Sequence, residues 1–172
     1  MSGRIAVKVK GNVVYPTRND LPEPARQSLI ELLDARLADA GDLQSQMKQA
    51  HWNVKGPNFI ALHELFDKVN EDVEGYVDDL AERVVQLGGV AHGTARQVAT
   101  RSTLAEYPDV RDGHRHVEAV SDALAAFGKG VRAAIDVADR AGDKDTADLF
   151  TEISRGVDKW LWFVEAHLQA EH

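Results

Sequence analysis

The sequence predicts an all-α bundle of four long helices with one long crossover between the second and third. Apolar residues recur at helical spacing over most of residues 21–170. Gly and Pro interrupt that pattern at only a few places, and most interruptions are short. The exception is the stretch 89–111, which is too long for a tight turn.

Residues 1–20 read as a flexible, mildly basic tail containing Gly3, Gly11 and Pro16, with an extended stretch around residues 5–10. The bundle domain then spans residues 21–172. Its first helix opens near Pro24, a residue favoured in a first turn, and carries Leu29, Leu32, Leu33, Leu37, Leu43 and Met47 on one face. Gly56-Pro57-Asn58 ends it, and a second helix runs on to Gly88-Gly89. Gly41 and Gly75 lie inside these helices at a cost of about 1 kcal/mol each relative to Ala. Gly75 falls near the middle of a polar stripe, and two readings fit it: a missing side chain that would let two helices approach closely, or a tolerated exposed glycine. The crossover holds Gly93 and Pro108, with a short helix around residues 94–100. A third helix spans residues 112–141 and stops at Gly142. The fourth runs from Asp145 to Leu168, with Phe150, Ile153, Val157, Leu161, Val164 and Leu168 inward.

Composition narrows the function. At 172 residues the chain fits one domain with a substantial core. Without cysteine, thiolate metal sites, disulfides and thiol nucleophiles are excluded. No apolar run approaches a membrane span, and the N-terminus lacks a signal-peptide core, so the expectation is a soluble cytoplasmic protein. A net charge of −8 opposes DNA binding by the body of the molecule. The tail is different: Arg4, Lys8, Lys10 and Arg18 face Asp20 alone.

The second helix carries the chemistry. His63 and Asp67 are four residues apart, as are Asp78 and Glu82, so each pair shares a helical face. All four fall within an arc of roughly 100°, centred roughly 150° from the apolar face of Leu62, Leu65, Phe66, Val69, Val73, Tyr76, Leu80, Val84 and Leu87. The stripe therefore points out of the bundle, whereas an intra-bundle di-iron site projects Glu-x-x-His ligands inward, and the chain has no such motif. Along the axis Asp67 and Asp78 stand about 16 Å apart, too far to share one metal. The turn at Gly56-Pro57 sets His51 of the first helix level with His63. A two-fold axis near residues 72–73 would bring His51, His63 and Asp67 of one copy to Asp78 and Glu82 of another, twice over. Imidazole and carboxylate together suit iron, zinc or manganese. Charged residues opposite an apolar face are ordinarily just solvated; five at this spacing form a more specific pattern.

At these residues the chain closely resembles the Dps miniferritins, the DNA-binding proteins from starved cells. The segment KQAHWNVKGPNFIALHELFDKV, with DDLAERVVQLGG after it, looks like their ferroxidase signature, and DTADLFTEISRGVDKWLWFVEAHL resembles their last helix. The likeness covers about residues 21–170. It implies a ferritin-like four-helix subunit with a short extra helix in the crossover, assembled as a dodecameric hollow shell. It also implies oxidation of Fe(II), preferentially by hydrogen peroxide, at sites between subunits, and storage of Fe(III) as mineral. The implied iron ligands are His51, His63 and Asp67 from one subunit with Asp78 and Glu82 from its partner; the same donors also suit zinc, whose competition the sequence leaves open. Trp52 matches a family tryptophan near the iron, as an electron donor or as interface packing.

Other residues divide between two readings. Asp143, Asp145, Asp148 and Glu152 cluster where the family places acidic pores, but Asp143 and Asp145 also suit helix capping. Trp160 and Trp162 read as packing, and His92, His114, His116 and His167 match no ferroxidase position; His114 and His116 fit a polar helix start. The leading expectation is an iron-oxidising, iron-storing protein that protects DNA by removing Fe(II) and peroxide. The alternative is a nucleoid-compacting protein that binds DNA non-specifically through the tail, with secondary iron chemistry.

Overall fold

The computed structural model describes residues 7–9 and 12–169. Two short strands, β1 (Val7–Val9) and β2 (Asn12–Val14), pair antiparallel with Val7 opposite Val14. Five helices follow: α1 (Glu23–Asn53), α2 (Phe59–Gln86), α3 (Ala95–Arg101), α4 (Gly113–Arg140) and α5 (Lys144–Glu165). These are the four long helices and the short crossover helix the sequence predicts, with ends within a few residues of the expected ones.

Arg4 and Lys10 of the expected tail lie outside the described residues. Part of that segment is not free. Val14 is buried in the core cluster, and the Tyr15 N–H donates to the Gly88 carbonyl at 2.7 Å. Gly88 adopts φ +92° there, and a Cβ would stand 2.6 Å from the Tyr15 carbonyl oxygen. Only glycine meets both demands without strain.

Helices α1 and α2 pack as one antiparallel hairpin and α4 and α5 as another; α1 also lies against α4, and α2 against α5. The shared core is apolar, with Leu33, Leu43, Phe66, Leu80, Leu124, Phe127 and Phe150 fully enclosed. Capping sets the helix starts. Asp112 accepts from the Arg115 N–H at 3.0 Å, and Asp143 accepts from the Thr146 N–H at 3.1 Å. Gln97 accepts from the Thr94 N–H at the start of α3.

The crossover is held by polar groups along α1. Asp34, wholly buried, accepts from the His92 N–H and from His92 Nδ1 at 2.7 Å. Asp39 accepts from the Thr103 N–H at 2.7 Å, and Gln46 donates to the Ala105 carbonyl at 2.9 Å. Gly41 explains itself in this setting. A Cβ there would press on Val98 at 3.0 Å, so glycine lets α3 sit against α1.

Candidate metal centre

His51 lies in the last turn of α1 and His63 in the second turn of α2, so the short turn over residues 54–58 brings them side by side. Their rings stack with centroids 3.7 Å apart. His51 Nδ1 lies 2.9 Å from the His63 carbonyl oxygen, and His63 Nδ1 lies 2.8 Å from the His51 carbonyl oxygen. A carbonyl can only accept, so each Nδ1 carries the proton. In the neutral tautomer this leaves the lone pair on Nε2, the nitrogen a metal would then take. The backbone of each residue thus orients the ring of the other.

Asp67 follows His63 by one turn. Lys48 Nζ donates to its Oδ1 at 2.6 Å, and His51 Nδ1 is 3.7 Å from the same oxygen. The Lys48 hydrogen bond holds the Asp67 carboxyl below its ordinary pKa; partial burial opposes this, and the two imidazoles add smaller help. Lys48 was not singled out in the sequence, although a residue three before His51 shares its face. A cation arriving at Asp67 has to displace or share this ammonium.

Asp78 and Glu82 are both exposed on the same outward stripe further along α2. Among the described residues neither has a hydrogen-bond or ion-pair partner in the chain. Nor do three or more His, Asp or Glu side chains of the single chain gather at metal-binding distance among those residues. Trp52 is 67% exposed beside His51, while Phe59 covers His63 with ring centroids 5.1 Å apart. A Cβ added at Gly75 meets nothing within 4 Å, so the middle of the stripe is open.

Several other residues depart from expectation. His116 belongs to no polar helix start. It is 1% exposed, with the Tyr107 hydroxyl 2.8 Å from its Nδ1. Tyr107 lies nine residues upstream on the crossover, so no helical spacing could have shown the pair. Trp162 does not pack into the core; it is 63% exposed, with its edge against Phe163. Trp160 does pack, and its indole N–H donates to Asp72 at 2.7 Å. Asp143 is the N-cap of α5, buried in a two-point ion pair with Arg83 at 2.9 Å. Asp145 and Glu152 are exposed.

The ferritin-like domain family matches this chain over residues 30–171. The DNA protection during starvation protein of Agrobacterium fabrum is 46% identical over 156 residues, 90% of this chain and 96% of that one. Among solved structures, a tetragonal form of Mycobacterium smegmatis Dps superposes with TM-score 0.86 at 31% identity, covering 91% of this chain and 96% of that one. DpsC from Streptomyces coelicolor does so at 0.88 and 31% identity, covering 92% and 94%.

Proposed function

The chain belongs to the Dps family of ferritin-like proteins, and on that premise we propose that it is a ferroxidase and iron store working as a dodecamer. The observation that carries this reading is the His51–His63 pair. Reciprocal backbone hydrogen bonds engage each Nδ1, and among the described residues neither Nε2 has a hydrogen-bond partner in the chain. A histidine serving only the fold has no need of a ring nitrogen without a partner, beside a second imidazole and a carboxylate one turn away.

Each centre forms between two copies. His51, His63 and Asp67 of one copy supply two imidazole nitrogens and a carboxylate, and Asp78 and Glu82 of the other supply two further carboxylates. Imidazoles hold Fe(II) well, while the hard carboxylates favour the Fe(III) product, so the mixed set favours oxidation. Two Fe(II) ions give one electron each to hydrogen peroxide. Its O–O bond breaks, two protons are taken up, and two waters leave, so no hydroxyl radical is released. Zinc, satisfied by the same donors, competes for the site. Trp52 stands next to the centre as a further electron source or as a packing surface.

The test is anaerobic addition of Fe(II) and then peroxide, followed by ferric absorbance. His51→Ala with Asp78→Ala should slow the initial rate by at least roughly tenfold, as expected for losing ligands rather than their supports. Equal rates in variant and parent would remove the assignment.

The relatives' name, DNA protection during starvation protein, favours a second reading in which the chain also binds DNA through its N-terminal segment. Phosphate contacts release counterions, so such binding weakens steeply with salt. Gel retardation of duplex DNA at low salt, lost on deleting residues 1–13, supports it; no retardation at low salt rejects it.

A further inference from the structure

The outward stripe of α2 is not wholly polar. Ile60 and Val85 are large apolar residues left 61% and 58% exposed, and both point along the same line as Asp67 and Asp78. Their positions follow a rule. Asp67 and Asp78 are equidistant from a midpoint between Asp72 and Val73, and so are His63 and Glu82. Ile60 and Val85 share that same midpoint. The symmetry that completes the metal-binding set therefore also sets Ile60 of one copy level with Val85 of the other. Nothing about iron binding requires these apolar positions to match, so the coincidence is independent of the ligands.

Two further features support this arrangement. Beside Glu82 lies an open depression of about 400 Å³, lined by Ala81, Val85 and Ala91 with the stems of Glu82 and Gln86. His51 has to reach Glu82 of the other copy, and this brings its exposed neighbour Trp52 to the rim of that depression. Meanwhile Glu71 and Glu74, both exposed, mirror each other about the same midpoint. Like charges thus meet at the centre of the contact, so attraction has to come from its ends.

We propose that Ile60 and Val85 of two copies meet across the axis that joins the half-sites, with Trp52 seated in the depression beside Glu82 of the second copy. The contact forms an apolar clasp at each end of the stripe. It sets the antiparallel register and closes each oxidation centre against bulk water. This rests on the two-copy reading of the metal centre and adds what holds the copies in register. Paired helices whose apolar positions mirror one another resist sliding, because a shift of one turn places Ile60 against Glu82 in one direction and beyond the end of α2 in the other.

Charge exchange tests it. Ile60→Lys alone and Val85→Asp alone should each shift the full-length protein toward smaller species in sedimentation at micromolar concentration. The double variant should recover the parental assembly, because the introduced ammonium of one copy would then face the introduced carboxylate of the other. A double variant that dissociates as readily as the singles overturns the clasp. If the charged variants lose their helical circular dichroism, Ile60→Cys with Val85→Cys decides the same question. The chain has no native cysteine, and positions 60 and 85 of one α2 helix are about 37 Å apart, so any disulfide must join two copies. A covalent dimer under mild oxidation supports the clasp, and monomer alone overturns it. Ferric absorbance by the parent protein is read separately. A failed clasp beside ligand-dependent oxidation leaves the functional reading standing, and the reverse result leaves the clasp.

Discussion

At the scale of residues, Lys48 is the group whose role is least evident from pattern alone. Its ammonium sits on Asp67 Oδ1, and in the proposed centre it would compete with Fe(II) for that carboxylate. Lys48→Gln should therefore strengthen Fe(II) binding several-fold, on the order of the 1.5–3 kcal/mol of a charged hydrogen bond discounted for exposure. Anaerobic titration with Fe(II) checks this, and unchanged or weaker binding would show that Lys48 assists. His116 gives a pH signature at a separate place. Burial pushes its imidazole pKa below the ordinary value of 6.5, against smaller opposing effects of the Asn53 backbone and Asp112. Protonation therefore favours the unfolded chain. The stabilisation is complete above pH 6.5 and is lost as pH falls through the lowered folded value. His116→Gln should flatten the decline of melting temperature between about pH 8 and 5, and an identical decline would assign it elsewhere.

At the scale of elements, Arg83 and Asp143 join the end of α2 to the start of α5. Asp143 is nearly inaccessible and also caps α5 through Thr146. Burial works to raise its pKa, but hydrogen bonds from Thr146 and Arg83 prevail and hold it below the ordinary carboxylate value. Asp143→Ala strands a mostly buried guanidinium and removes a cap, so it should cost about 3–5 kcal/mol in denaturant unfolding. The parental chain keeps this contribution above the ordinary carboxylate pKa and loses it as pH falls through the lowered one. A change under about 1 kcal/mol would show that Arg83 finds water instead. This pair also fixes the rotation of α2: with Arg83 turned inward to α5, its neighbour Glu82 faces outward.

At the scale of the whole molecule, a shared centre predicts complementation. His51→Ala and Asp78→Ala proteins each have a defect in every site. When their subunits are mixed, dissociated and reassembled, about half the two-fold pairs are hybrids. One of the two centres in each hybrid then draws only intact residues. Ferric absorbance should return to about a quarter of the parental rate, whereas sites confined to one chain would show no recovery. The same mixing leaves the clasp at residues 60 and 85 untouched, so any recovery reports on the ligands alone.

Much of this was legible in the sequence because it depends on period alone. The four long helices follow from apolar spacing and from glycine and proline at the turns. The outward stripe follows because residues four apart on a helix share a face. The level placement of His51 and His63 follows from a short turn between antiparallel helices. What depended on distant contacts was not legible. Tyr107 against His116, Asp34 against His92 and Arg83 against Asp143 join residues whose spacing obeys no helical period. The exposure of Trp162 likewise depends on how α5 is rotated against α4. Sequence periodicity determines which residues share a face; only the packed chain decides what that face meets, because side-chain contacts across helices depend on rotation and depth that no local pattern encodes.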